Sequence, residues 1–78
     1  MVKEIDCYHL RKFYSLYGVC ELLGISRPKL RSKCAQYGIP IERDRVGVAG
    51  LYRPKIRRLY DKLCYEEHMQ LEQGGHKA

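Results

Sequence analysis

The chain has no run of about 18 apolar residues, so no helix within it is predicted to span a bilayer. It has no pair of cysteines at the two-to-four-residue spacing that lets one tight loop present two thiolates to zinc; its four stand apart at Cys7, Cys20, Cys34 and Cys64. It also lacks a Ser-His-Asp order, a phosphate-binding glycine loop and a paired-carboxylate motif. His9, His68 and His76 are scattered without partner motifs. These absences argue against an enzyme and against any cofactor. The opening residues, Met-Val-Lys-Glu-Ile-Asp, place acids where a secretory leader carries bases followed by an apolar run. The expected compartment is therefore the cytoplasm, where lone cysteines act as small buried hydrophobes rather than disulfide partners.

What is present is positive charge, unevenly spread. The 78 residues carry a net charge of +6. Between Arg27 and Arg58 lie ten Lys or Arg and only two acids, whereas the rest of the chain holds five bases and seven acids. A concentration of this kind is the electrostatic footprint expected for a polyanion partner. The alternative reading is a solvated basic face without a partner. A single domain of this length buries a small core and has little room for an enclosed pocket.

The middle of the chain has a clear helical pattern. Ser15 is a suitable N-cap, and Leu16, Val19, Cys20 and Leu23 recur at i, i+3, i+4 and i+7 before Gly24 ends the run. A second helix follows at once. Ser26 caps it and Pro28 lies in its first turn, where a missing amide hydrogen costs little. Leu30, Cys34 and Tyr37 make its buried face, and Gly38 with Pro40 stops it. Two short helices joined by Gly24-Ile25-Ser26 describe a helix-turn-helix. Residues 41–53 then alternate around a glycine-rich centre, which predicts a β-hairpin. Pro54 opens a last helix with Ile56, Leu59 and Leu63 inward, and with Tyr60 and Cys64 beside them. The expected division is an N-terminal arm or short helix over residues 1–14, the folded domain over 15–69 and a flexible tail over 70–78. The expected fold class is mostly α with a small β-hairpin.

The run Val19-Cys20-Glu21-Leu22-Leu23-Gly24-Ile25-Ser26-Arg27-Pro28-Lys29-Leu30-Arg31 resembles the helix-turn-helix of the MerR and excisionase-like winged-helix proteins. Tyr37-Gly38-Ile39-Pro40, the charged strand, the glycine turn, Leu51-Tyr52-Arg53 and the helix after it resemble their wing and following helix. The likeness covers residues 14–64 and implies a winged helix-turn-helix. The segment from Leu22 to Ile39 is also similar to the C-terminal helix-turn-helix of Fis-type regulators, which end near that point; the patterned chain beyond favours the winged form. Cys20 stands where these families usually carry alanine. The long dimerisation helix and effector domain of full MerR regulators have no counterpart at full length, which favours a stand-alone module of the excisionase or small phage-regulator type. Some terminase small subunits use a similar unit to mark viral DNA for packaging.

The resemblance implies double-stranded DNA as the partner and the helix after Ser26 as the reader. A helix fits the major groove, and its first turns meet base edges and phosphates. Ser26 sits at the positive end of that helix, where anions bind. Arg27 and Arg31, four residues apart, can fork onto guanine, while Lys29 and Lys33 suit phosphates and Ser32 lies among them. Arg43, Arg45 and Arg53 are the wing's candidates for the minor groove. Arg57 and Arg58 either touch backbone or pair with Asp61 or Glu42. One unit covers little DNA, so binding as a homodimer or cooperatively is expected. The competing function is a protein-interaction module, with Glu66-Glu67 and the final helix as its contact. RNA binding is a third.

Overall fold

The computed structural model describes residues 2–76. Its elements are β1 (Phe13–Ser15), α1 (Leu16–Leu23), α2 (Arg27–Tyr37), β2 (Glu42–Arg43), β3 (Ala49–Tyr52) and α3 (Arg53–His76). The protein is a small mixed α/β domain of three helices and a three-stranded antiparallel sheet of order β1-β3-β2; α1 and α3 pack on the sheet, and α2 packs on α1 and α3.

Both short helices begin and end where their caps dictate. Ser15 accepts from the Gly18 amide at the start of α1, and Ser26 accepts from the Lys29 amide at the start of α2. These bonds satisfy donors that the helix itself leaves unpaired. Gly24 and Gly38 close the two helices in the left-handed conformation, at φ of 71° and 65°. Gly24 N–H donates to the Cys20 carbonyl at 2.8 Å, and the chain turns directly into the next cap.

The core collects one face of each helix with the middle of the sheet. Leu16, Val19 and Leu23 of α1, Leu30 and Cys34 of α2, Leu51 of β3, and Ile56, Leu59 and Leu63 of α3 are buried together with Leu10 and Ile39. These positions match the helical spacings in the sequence. Tyr37 and Cys20 are only partly buried and edge this core.

Three expectations need correction. The hairpin is not the whole sheet: β1 pairs with β3 on the side away from β2, with Phe13 opposite Tyr52 and Ser15 opposite Gly50. The Phe13 and Tyr52 rings meet edge to face at 4.8 Å. The boundary drawn after residue 14 therefore cuts through a strand. The segment before it is irregular rather than helical, yet it belongs to the domain. Leu10 is in the core, Lys3 N–H donates to the Leu23 carbonyl at 2.9 Å, and Val2 N–H donates to Glu67 Oε1 at 2.5 Å. Finally, α3 continues to His76, so the backbone of 70–76 is helical where a tail was expected; Lys77 and Ala78 lie outside the described residues.

Gly50 is the reason β1 can close on β3. A β-carbon at this position would stand 2.0 Å from the Tyr14 carbonyl oxygen and 2.8 Å from both the Phe13 ring and the Ser15 α-carbon. Only a residue without a side chain lets the two strands approach.

Candidate nucleic-acid interface

The orientation of α2 follows from its buried residues. Leu30 and Cys34 point inward. At about 100° per residue, Pro28, Ser32 and Ala35 then form the outermost ridge. Arg27 and Arg31 flank it on one shoulder, Lys29 and Gln36 on the other. All seven are exposed. The ridge is made of small side chains, so another surface can approach the helix closely between two rows of longer polar ones.

Ser26 caps this helix, and its neighbours limit what else the terminus offers. The Ser26 oxygen already accepts from Lys29 N–H at 3.3 Å, and Pro28 has no amide hydrogen. Of the first-turn donors, the Arg27 amide is the one left free. The helix end adds little beyond this amide and the Ser26 hydroxyl hydrogen; the charge comes from the side chains. Arg27, Lys29 and Arg31 have no carboxylate partner, since the ion pairs among the described residues are Asp6–His9 and Lys33–Glu66.

Lys33 is placed differently from what the sequence suggested. It lies on the flank of α2 that meets α3, with Nζ 2.9 Å from Glu66 Oε1 and both side chains less than a quarter exposed. Gln36 Nε2 shares the same carboxylate at 3.5 Å. This ammonium ties two helices together and does not project with Arg27 and Arg31. Glu66 and Glu67, read from sequence as a free acidic contact, are both used inside the domain: Glu66 by Lys33 and Gln36, Glu67 by the Val2 amide.

The hairpin between β2 and β3 is held by one carboxylate. Asp44 Oδ1 accepts from the amides of Val46 at 3.0 Å and Val48 at 2.9 Å. The Asp44 carbonyl accepts from Gly47 N–H at 3.1 Å, and Gly47 takes the positive φ of 87° that this turn requires. Arg43 Nη1 donates across the turn to the Gly47 carbonyl at 2.7 Å. The result is a fixed loop whose apex presents Arg45 and Val46, both exposed. Sequence reading placed the turn correctly but missed Asp44 as its organiser; its position three residues before Gly47 is the usable signal.

Of the three wing arginines, Arg45 alone has no side-chain partner among the described residues. Arg43 staples its own turn. Arg53 clamps the N-terminal segment, with its amide on the Lys12 carbonyl at 2.8 Å and Nη1 on the Leu10 carbonyl at 3.3 Å. Arg57 and Arg58 are exposed on α3 and pair with neither Asp61 nor Glu42.

Neither Cys20 of α1 nor Cys34 of α2 is poised for chemistry. Burial raises both Cys20 and Cys34 above the ordinary thiol value, with Arg27 pulling Cys20 back and Cys20 pushing Cys34 further. The four cysteines are free, and among the described residues no three His, Cys, Asp or Glu side chains gather where they could share a metal ion. No helix of the described residues is long and apolar enough to cross a membrane. Comparison with family models, with curated proteins and with solved structures finds no match for this chain.

Proposed function

We propose that the protein is a winged helix-turn-helix module that binds duplex DNA sequence-specifically, with α2 in the major groove and the β2–β3 hairpin as the wing. The observation that carries this reading is the outer surface of α2. It bears Ser26, Arg27, Lys29, Arg31 and Ser32, all exposed, with three cations that no carboxylate among the described residues neutralises. A small-residue ridge between charged shoulders suits entry into a groove about 12 Å wide, where arginine meets guanine edges and lysine meets phosphates.

The hairpin extends the same function. Arg45 sits at the apex of a turn held rigid by Asp44, the placement of a wing arginine at a minor groove. Arg43 and Arg53 support the wing rather than reach DNA, and Lys33 joins the helices. The reader is thus Ser26, Arg27, Lys29, Arg31, Ser32 and Arg45. A regulator or an excisionase-like recombination factor is the role such a unit serves, acting as a dimer or cooperatively because one copy spans little DNA.

Selection of bound duplexes from a random pool tests the reading. An enriched motif is expected, and its repeat pattern gives the stoichiometry. A pool that stays random through successive rounds contradicts it.

A protein-interaction role has one observation in its favour. An open groove of about 430 Å³ runs between α2 and α3, lined by Gln36, Tyr37, Lys62, Tyr65 and Met69 among others, and Tyr65 is 63% exposed. A partner retained from lysate after nuclease treatment, by a chain that enriches no DNA, would favour it.

A further inference from the structure

The N-terminal segment is a strap, not an appendage. It is fastened at Val2 to Glu67, at Lys3 to the Leu23 carbonyl, and at Leu10 and Lys12 to Arg53. Between these ties the chain crosses the end of α1, beside the turn that leads into α2. Val2 and Ile5 pack against the core. Glu4 lies on the α3 side, close enough to act on Tyr60, whose phenol is raised first by its hydrogen bond to Cys64, then by partial desolvation, and least by Glu4. Lys3 goes the other way. Its stem lies along Gly24: Cγ, Cδ and Cε fall 2.8, 3.2 and 3.3 Å from where a β-carbon on Gly24 would stand.

Gly24 is two residues before the N-cap of α2. The Lys3 backbone bond therefore holds this residue at the helix-helix turn with its stem over Gly24, and Lys3 is exposed with no carboxylate partner among the described residues. Arg27, the first residue of α2, follows Gly24 by three positions and is near enough to Cys20 to act on its thiol. Two unneutralised cations thus flank one turn, one from each end of a 24-residue separation in sequence.

We propose that Lys3 is a backbone-phosphate contact of the DNA surface, holding the strand that runs past the turn between α1 and α2. The assignment rests on the DNA reading above and adds to it a residue outside the helix-turn-helix. Lys3 fixes position on the duplex and reads no base, because a lysine on phosphate is a point charge without a base edge to fork onto. Holding the stem against Gly24 in the free protein lowers the ordering cost of the contact.

A purely structural role is the competing account, since a cation at the C-terminal end of α1 also favours the helix dipole. The two differ in salt dependence. Each phosphate neutralised contributes about 0.9 to the slope of log affinity against log salt, equivalent to about five-fold in affinity near 0.15 M salt. Lys3→Met keeps the stem over Gly24 and removes the charge; Lys3→Arg restores it. Titrating a short mixed-sequence DNA duplex with the full chain over a range of salt is expected to show a slope lower by about 0.9 and about five-fold weaker binding for Lys3→Met, with Lys3→Arg returning to the parent values. A Lys3→Met slope equal to the parent's, beside intact parent binding, overturns the assignment alone. Absence of duplex binding by the parent overturns the DNA reading and this assignment with it.

Discussion

Gly50 and Lys33 show how much a single residue's role depends on what the fold places opposite it. In the sequence Gly50 belongs to a glycine-rich turn, interchangeable with Gly47. In the structure Gly47 is the residue the turn needs, at positive φ, while Gly50 faces β1 with no space for a β-carbon. Gly50→Ala must push β1 off β3, because two of the atoms it meets, the Tyr14 carbonyl oxygen and the Ser15 α-carbon, are backbone and cannot swing aside. We expect a loss of about 3 kcal/mol, measurable as a lower urea midpoint, with Phe13–Tyr52 packing lost alongside. Lys33 is the reverse case, a base counted from sequence as a DNA contact. Nothing in its local sequence reveals Glu66, which lies 33 positions away. Lys33→Ala should lower stability by about 1 kcal/mol, the upper range for a partly exposed pair. It should leave duplex affinity within about two-fold, whereas losing a phosphate contact would cost about five-fold.

At the scale of elements, caps and periodicity made α1 and α2 legible almost to the residue. Ser15, Gly24, Ser26 and Gly38 are local signals, and the hydrogen bonds they form are local too. The start of α3 followed in the same way from Pro54 and the spacing of Ile56, Leu59 and Leu63. β1 was not legible. Three residues carry no detectable alternation, and their strand character comes entirely from β3. The hairpin lay between these extremes: its position was readable, its rigidity was not. That rigidity comes from the Asp44 carboxylate, which takes two amides at once. Asp44→Ala leaves the Val46 and Val48 amides without their protein acceptor and frees the apex that carries Arg45. The expected outcome is about 1 kcal/mol lower stability, faster amide hydrogen exchange at Val46 and Val48, and weaker duplex binding than the loss of stability explains. Unchanged exchange at these two amides would show that the carboxylate does not hold the turn.

Across the whole molecule, charge distribution and architecture point to the same surface. The concentration of bases between Arg27 and Arg58 was visible in the sequence, but it overstated the site. Folding diverts Lys33 to α3, Arg43 to its own turn and Arg53 to the N-terminal strap. What remains on α2 and the hairpin apex is Arg27, Lys29, Arg31 and Arg45. The strap adds Lys3, which no local pattern could have connected to a turn more than 20 residues on, since the Lys3–Leu23 hydrogen bond and the packing of the strap bring them together only in the fold. The sequence therefore conveyed the concentration of bases and the bounds of α2, while the fold decides which cations remain available for the proposed DNA contact.

The most direct test compares the parent chain with the Arg27→Ala, Arg31→Ala double variant on the duplex the parent selects, by fluorescence anisotropy at fixed salt. Both residues are exposed and have no ion-pair partner among the described residues, so the variant should keep the parent's circular dichroism and thermal midpoint. If each arginine contributes about 1–3 kcal/mol, the dissociation constant should rise about 30-fold or more, with the preference for the selected site lost. An equally stable variant that binds the selected duplex as tightly as the parent would contradict α2 as the DNA reader.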